Sequence, residues 1–152
     1  MSAIVVLRPD DAVEAAKVHA ASMHDPWSAA SIRQSLENSN VLGLGVEEEG
    51  ALLGFGLISI IAGEAEVLTL AVDPRFHRKG VARRLLSRLI SSCAERGVGR
   101  VMLEVAEDNH PAISLYNNEN FKRDGVRLGY YTSGRSNPVD AILMSRTLSL
   151  IS

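Results

Sequence analysis

The stretch Glu66 to Leu86, EVLTLAVDPRFHRKGVARRLL, decides the fold. Within it a short apolar, partly β-branched run, Thr69 to Val72, breaks at Asp73-Pro74, and Gly80 then opens an amphipathic segment. A strand that passes through such a turn into a helix leaves the first helical N–H groups unpaired. Those amides and the helix dipole, ringed by Arg78, Lys79, Arg83 and Arg84, suit an anion better than a metal or a neutral ligand. Cations at a helix N-terminus oppose the dipole, and a bound phosphate would explain them.

Downstream, Gly80 to Arg96 is the clearest helix, with Ala82, Leu85, Leu86, Leu89, Ile90 and Cys93 on one stripe and Gly97 as its stop. Cys93 on that stripe reads as a buried structural thiol. Arg100 to Ala106 is the next strand, and strand, helix, strand in that order implies a right-handed crossover with parallel pairing. Upstream, Ala3 to Arg8 reads as a strand, Pro9-Asp10-Asp11 starts a helix capped by an aspartate and ending near Met23, and Ser28 caps a second helix to about Asn38. Val41 to Glu47, Leu52 to Ile61 and Val67 to Val72, joined by turns at Glu49-Gly50 and Ala62-Gly63, form a meander. Pro111 to about Glu119 is a short helix behind Asn109, and Phe121 to Tyr131 and Ala141 to Leu148 are two closing strands. Thr132 to Pro138 is the candidate flexible segment.

At 152 residues, 46% of them hydrophobic, the chain suits one core, and a single domain over 1–152 is expected. A net charge of −2 argues against a protein that coats nucleic acid, yet Arg78, Lys79, Arg83, Arg84 and Arg88 cluster, which fits a local polyanion such as a nucleotide cofactor. A lone cysteine forms no internal disulfide, and no charged-then-apolar leader opens the sequence, so the expected compartment is the cytoplasm. The longest uncharged run, Gly50 to Gly63, falls short of the ~20 residues a membrane span needs. His19, His24, His77 and His110 make no metal-ligand spacing with Cys93, and no metal is expected.

Three residues could carry chemistry. Alternation along Arg100 to Ala106 puts Glu104 on the face of Met102 and Ala106, either as a carboxylate that meets solvent or is paired by a nearby arginine, or as a general base of limited solvation. Asn109 is an N-cap or a ligand contact, and Tyr116 is a core ring or a phenol that donates to a leaving group.

The run Asp73-Pro74 followed by His77-Arg78-Lys79-Gly80-Val81-Ala82 resembles the Gln/Arg-x-x-Gly-x-Gly/Ala signature of the GCN5-related N-acetyltransferases (GNAT), and the order of elements matches that family throughout. Pro26-Trp27-Ser28, Leu103-Glu104-Val105, Asn109-x-x-Ala112-x-x-Leu115-Tyr116, Gly129-Tyr130-Tyr131 and Asp140-Ala141 to Met144 resemble the branch that acetylates the N-terminal alanine of a ribosomal protein. Where the family prefers Gln or Arg this chain has His77, Ala82 replaces the commoner glycine, and Asn120 stands before Phe121 where glycine is usual. Asn is the next-best residue for a left-handed cap, so that geometry is expected to survive. After Val105 the chain reads Ala106-Glu107-Asp108, where that branch often carries an arginine.

The resemblance implies an α/β fold: a mostly antiparallel sheet of about seven strands, one parallel pair splayed around acetyl-CoA, and about four helices. It implies cofactor contacts at Leu70, Ala71 and Val72, at Arg78, Lys79, Gly80, Val81, Ala82 and Arg83, and at Asn109. Glu104 would be the base, Tyr116 the acid, and Trp27 and the Gly129 to Pro138 segment, with Tyr130 and Tyr131, the acceptor walls. The implied acceptor is a protein N-terminus, that of small ribosomal subunit protein eighteen, and the implied partners include no nucleic acid or membrane, the enzyme being a monomer or weak dimer. An α-amine of pKa ~7.7–8.0 needs a weaker base than a lysine at ~10.4, so one carboxylate suffices for direct attack. The alternatives are a GNAT enzyme that acetylates a small amine or an internal lysine, and a non-catalytic acyl-CoA-sensing module.

Overall fold

The computed structural model describes residues 2–132 and 135–148. Its strands are β1 (Ser2–Val6), β2 (Val41–Glu48), β3 (Ala51–Ile61), β4 (Glu64–Val72), β5 (Arg100–Ala106), β6 (Lys122–Tyr131) and β7 (Val139–Thr147). Its helices are α1 (Ala12–Ser22), α2 (Ala29–Glu37), α3 (Val81–Glu95) and α4 (His110–Asn118). The strands make one mixed sheet in the order β1-β2-β3-β4-β5-β7-β6, antiparallel throughout except for β4 and β5. No helix among the described residues is long and apolar enough to cross a membrane.

The expected elements are present, with two local differences at the first helix. Pro9–Asp11 forms a 3₁₀ turn before α1, and the Asp11 carboxylate accepts the Arg8 N–H at 2.7 Å instead of capping the helix. The expected caps at Ser28 and Asn109 form as side-chain acceptors for the N–H of Ser31 and Ala112. Asn120 takes the left-handed conformation at φ 65°.

Two apolar layers sandwich the sheet. Ala12, Ala15 and Val18 of α1 and Ile32 of α2 pack with Phe55, Leu57 and Ala71. On the other side Leu85, Leu86, Leu89, Ile90 and Cys93 of α3 pack with Ile58, Val67, Val101 and Leu103. Each buried aliphatic side chain of this kind contributes roughly 1.5–3 kcal/mol. A Cβ on Gly56 would lie 2.8 Å from Leu89 Cδ1, so glycine lets α3 approach β3 closely. Cys93 is fully buried and burial pushes its thiol up to about 11, which makes it an inert core group.

What positions the site is the parting of β4 and β5. They pair only from Glu64↔Arg100 to Glu66↔Met102. Beyond that point β5 is occupied on its far side by β7 as far as Ala106↔Ala141, and β4 remains paired to β3 as far as Val72↔Gly54. Both strands therefore continue, but away from each other, and a wedge opens between them.

Candidate active site

Two adjoining cavities fill the wedge. The first, about 490 Å³, runs from Leu70, Ala71 and Val72 to the turn before α3 and is closed on the other side by Asn109, Pro111 and Leu115. The second, about 370 Å³, lies between α1, the segment before α2, β5 and the end of β6. Leu70, Asn109, Ala112 and Tyr116 line both, so the two spaces meet at Tyr116.

The first cavity combines an extended backbone edge with the open start of a helix. The Asp73 N–H bonds Leu53 O on β3, and strand alternation then turns the peptide groups of Leu70 and Val72 toward the wedge, beyond the last β4–β5 pair. An extended chain can pair with them there as a further strand would. At its far end Arg78 at φ 62° and Gly80 at φ 78° are both left-handed. For Arg78 this conformation costs on the order of 1–2 kcal/mol, and it shapes the loop that brings the start of α3 to the cavity. The first α-type bond here runs from the Arg84 N–H to Gly80 O, leaving the amides of Val81, Ala82 and Arg83 without helical acceptors. These three residues, with Arg78 and Gly80, line the cavity and present amides and positive charge to an anion.

Of the residues expected at the cofactor, Leu70, Ala71, Val72, Arg78, Gly80, Val81, Ala82, Arg83 and Asn109 line this cavity, whereas Lys79 does not and places its ammonium 5.7 Å from the centre of the Phe76 ring. The cationic ring is smaller than the sequence suggests. Arg84 turns away to bond the hydroxyl and carbonyl of Ser2, and Arg83 pairs with Glu119 at 3.1 Å. His77, at the position where a contact was open, bonds the Val72 carbonyl at 2.9 Å through Nε2, tying the loop to the end of β4. That carbonyl is thereby occupied, which leaves the Leu70 peptide and the Val72 N–H facing the wedge.

The second cavity holds Glu104, Trp27 and Tyr131 in its lining, together with Tyr116. Tyr130 is not part of it; half exposed, it packs on Tyr131 edge to face and lies under Arg127. Glu104, its side chain 25% exposed, is paired by Arg127 at 3.1 Å, as one of the readings of this carboxylate had it. The Tyr116 ring is buried against Phe121, and burial pushes its phenol up to about 12, so it is a neutral O–H donor at neutral pH. Its hydroxyl has no hydrogen-bond partner among the described residues. No group of three His, Cys, Asp or Glu side chains able to hold a metal occurs among them.

Two features here escaped the sequence. His19, on the buried face of α1, bonds Thr69 Oγ1 through Nε2 and accepts the Trp27 N–H at Nδ1, both at 2.9 Å. A backbone N–H can only donate, so Nδ1 carries no proton and Nε2–H is the donor to Thr69. Burial holds the ring below the ordinary histidine range, against the pull of Asp25. The unfolded ring charges near pH ~6.5 and the folded ring only at lower pH, so stability is complete above ~6.5 and falls as the pH drops towards the folded value, with a slope of at most ~1.4 kcal/mol per pH unit. Thermal unfolding between pH 7.5 and 5 is expected to show this loss, and His19→Asn is expected to flatten it. The spacing of Ala12, Ala15 and His19 on one helix face was the available signal. The second feature is the pairing of Arg135, inside the segment expected as an acceptor wall, with Asp108 at the second cavity.

Comparison with known proteins agrees with this geometry. The acetyltransferase (GNAT) family matches residues 10–121. The chain is 33% identical over 127 residues, 82% of this chain and 83% of the relative, to the [ribosomal protein bS18]-alanine N-acetyltransferase of Escherichia coli K12. It is 30% identical over 149 residues, 97% of each chain, to a putative enzyme of the same name from Bacillus subtilis. The crystal structure of the ribosomal-protein-S18-alanine N-acetyltransferase from Escherichia coli superimposes at a TM-score of 0.94 with 29% identity, covering 100% of this chain and 97% of that one. The chain belongs to the GNAT acetyltransferase family and is an acetyl-CoA-dependent N-acetyltransferase.

Proposed function

We propose that this enzyme acetylates a protein N-terminus, with the N-terminal alanine of small ribosomal subunit protein eighteen as acceptor, by direct attack of the free amine on the thioester. The names of the Escherichia coli and Bacillus subtilis relatives support the acceptor. The observation that carries the chemistry is the junction at Tyr116, where one phenol borders the space for the cofactor and the space that holds Glu104.

Acetyl-CoA supplies the activated acetyl group. Its pantetheine fits along Leu70 to Val72 and its pyrophosphate fits the amides of Val81, Ala82 and Arg83. Glu104 takes a proton from the acceptor ammonium, directly or through one water, and the free amine pair then attacks the acetyl carbon. The Leu70 N–H donates to the carbonyl oxygen as negative charge develops there. Tyr116 donates a hydrogen bond to the sulfur as the C–S bond breaks and the CoA thiolate leaves, and the proton shed by the new amide nitrogen passes through water to the thiolate or the solvent. No acyl-enzyme is needed, since the lone thiol, Cys93, lies in the core. We place this activity in one domain over 1–152, in the cytoplasm, acting as a monomer or weak dimer without a metal.

A panel assay of CoA release tests the reading, using N-terminal peptides beginning with alanine, a lysine peptide with a blocked N-terminus, and a polyamine. Turnover of the alanine peptide well above the other two is expected. Turnover of the polyamine with none of the N-terminal peptides would overturn the acceptor, and no thiol release with any amine would overturn catalysis in favour of a sensing module.

A further inference from the structure

We propose that Asp108 and Arg135 form a clamp that places Tyr131 and Arg135 against the acceptor cavity and so sets the position of the bound peptide. The proposal rests on the reading of that cavity as the acceptor site. Arg135 donates from Nε to Asp108 Oδ2 at 2.9 Å and from Nη2 to Oδ1 at 3.1 Å. Two parallel bonds between planar groups fix orientation as well as distance. The Arg135 side chain is only 11% exposed, and its guanidinium carbon lies 5.5 Å from the centre of the Tyr131 ring. Asp108, Arg135, Tyr131 and Glu104 all line the one cavity.

The β6–β7 ladder is interrupted at this place. Its register passes from Arg127↔Ala141 directly to Tyr131↔Val139, so residues 128–130 on β6 face a single residue, Asp140, on β7. That bulge has its own anchors: the Gly129 N–H bonds the Asp140 carboxylate at 2.8 Å, and Glu107 exchanges bonds with the Asp140 backbone at 2.9 and 3.3 Å. The strand end is thus secured whether or not the clamp is closed, and what the clamp adds is the placement of Tyr131 and Arg135 against the cavity. Asp108 also neighbours Asn109, which borders the cofactor space, so the wall for the acceptor is fastened to the turn beside the cofactor.

The test compares wild type, Asp108→Asn, Arg135→Gln and the double variant in steady-state kinetics with a peptide beginning with alanine, alongside acetyl-CoA binding by calorimetry. Each single variant is expected to raise the peptide KM by about tenfold with a smaller change in kcat, since a wall displaced by a fraction of an ångström misplaces the amine. The double variant is expected to match the singles rather than multiply them, because the two residues act as one unit. The acetyl-CoA Kd is expected to stay within about twofold of wild type, which separates the clamp from a general loss of structure. Single variants with an unchanged peptide KM, or effects that multiply in the double variant, would overturn the clamp. Wild-type enzyme that turns over no N-terminal peptide would instead overturn the acceptor reading, and the same comparison with the amine that is accepted then decides the clamp.

Discussion

Glu104→Gln is expected to lower kcat by about 10²–10⁴ while leaving the acetyl-CoA Kd within about twofold, the range a positioned general base contributes. The substitution keeps the shape of the side chain and removes its ability to take a proton. Glu104 sits on β5 two residues beyond the last pair with β4, where the strands have parted, and it lines the second cavity but not the first. Loss of its ion pair with Arg127 has little effect on stability, since the arginine side chain is 54% exposed and pairs of that kind contribute roughly 0–1 kcal/mol. Rapid-quench or steady-state turnover with an alanine peptide, measured at several pH values, checks the result. Near-wild-type kcat in Glu104→Gln at neutral pH would remove Glu104 from the role of base. Partial recovery at higher pH is expected, because an α-amine of pKa ~7.7–8.0 then loses its proton without help.

Tyr116→Phe is expected to cost less, about 10² in kcat, again without weakening acetyl-CoA binding. The phenylalanine ring keeps the packing on Phe121, 5.7 Å between ring centres, so the variant folds and isolates the hydroxyl. With its phenol pushed up to about 12, Tyr116 is a poorer acid than a thiol at ~8.5, and complete proton transfer to a free thiolate runs uphill by roughly 5 kcal/mol. In the proposed mechanism it therefore serves by a hydrogen bond that strengthens as charge collects on sulfur, and this is why the expected loss lies at the low end of acid catalysis. A rate that is insensitive to the hydroxyl with the natural thioester would remove Tyr116 from the leaving-group side.

The turn from β4 into α3 was legible in the sequence because local chemistry builds it: a β-branched run, a proline break, a glycine at φ 78°, and an apolar stripe at helical spacing. Glu104 was legible as a carboxylate out of place on a strand, and Asn109 as a cap. What was not legible depends on residues far apart in the chain. Nothing near Arg84 shows that it reaches back to Ser2, and the partners of His19 at Thr69 and of Arg135 at Asp108 are set by the meeting of separate elements. The insertion of β7 between β5 and β6 is of the same kind, and it brings Arg127 to Glu104. That pairing decides between the two readings of Glu104 only in part: the carboxylate is paired, and it still faces the cavity.

In the proposed function the wedge between β4 and β5 delivers an acetyl group to an N-terminal α-amine. Tandem mass spectrometry tests this on a peptide that begins with alanine and also contains a lysine, after incubation with the enzyme and acetyl-CoA. Acetyl is expected on the α-amine, with the lysine side chain unmodified. Acetyl found on the lysine, or a peptide left unmodified under conditions in which the enzyme turns over a small amine, would contradict it.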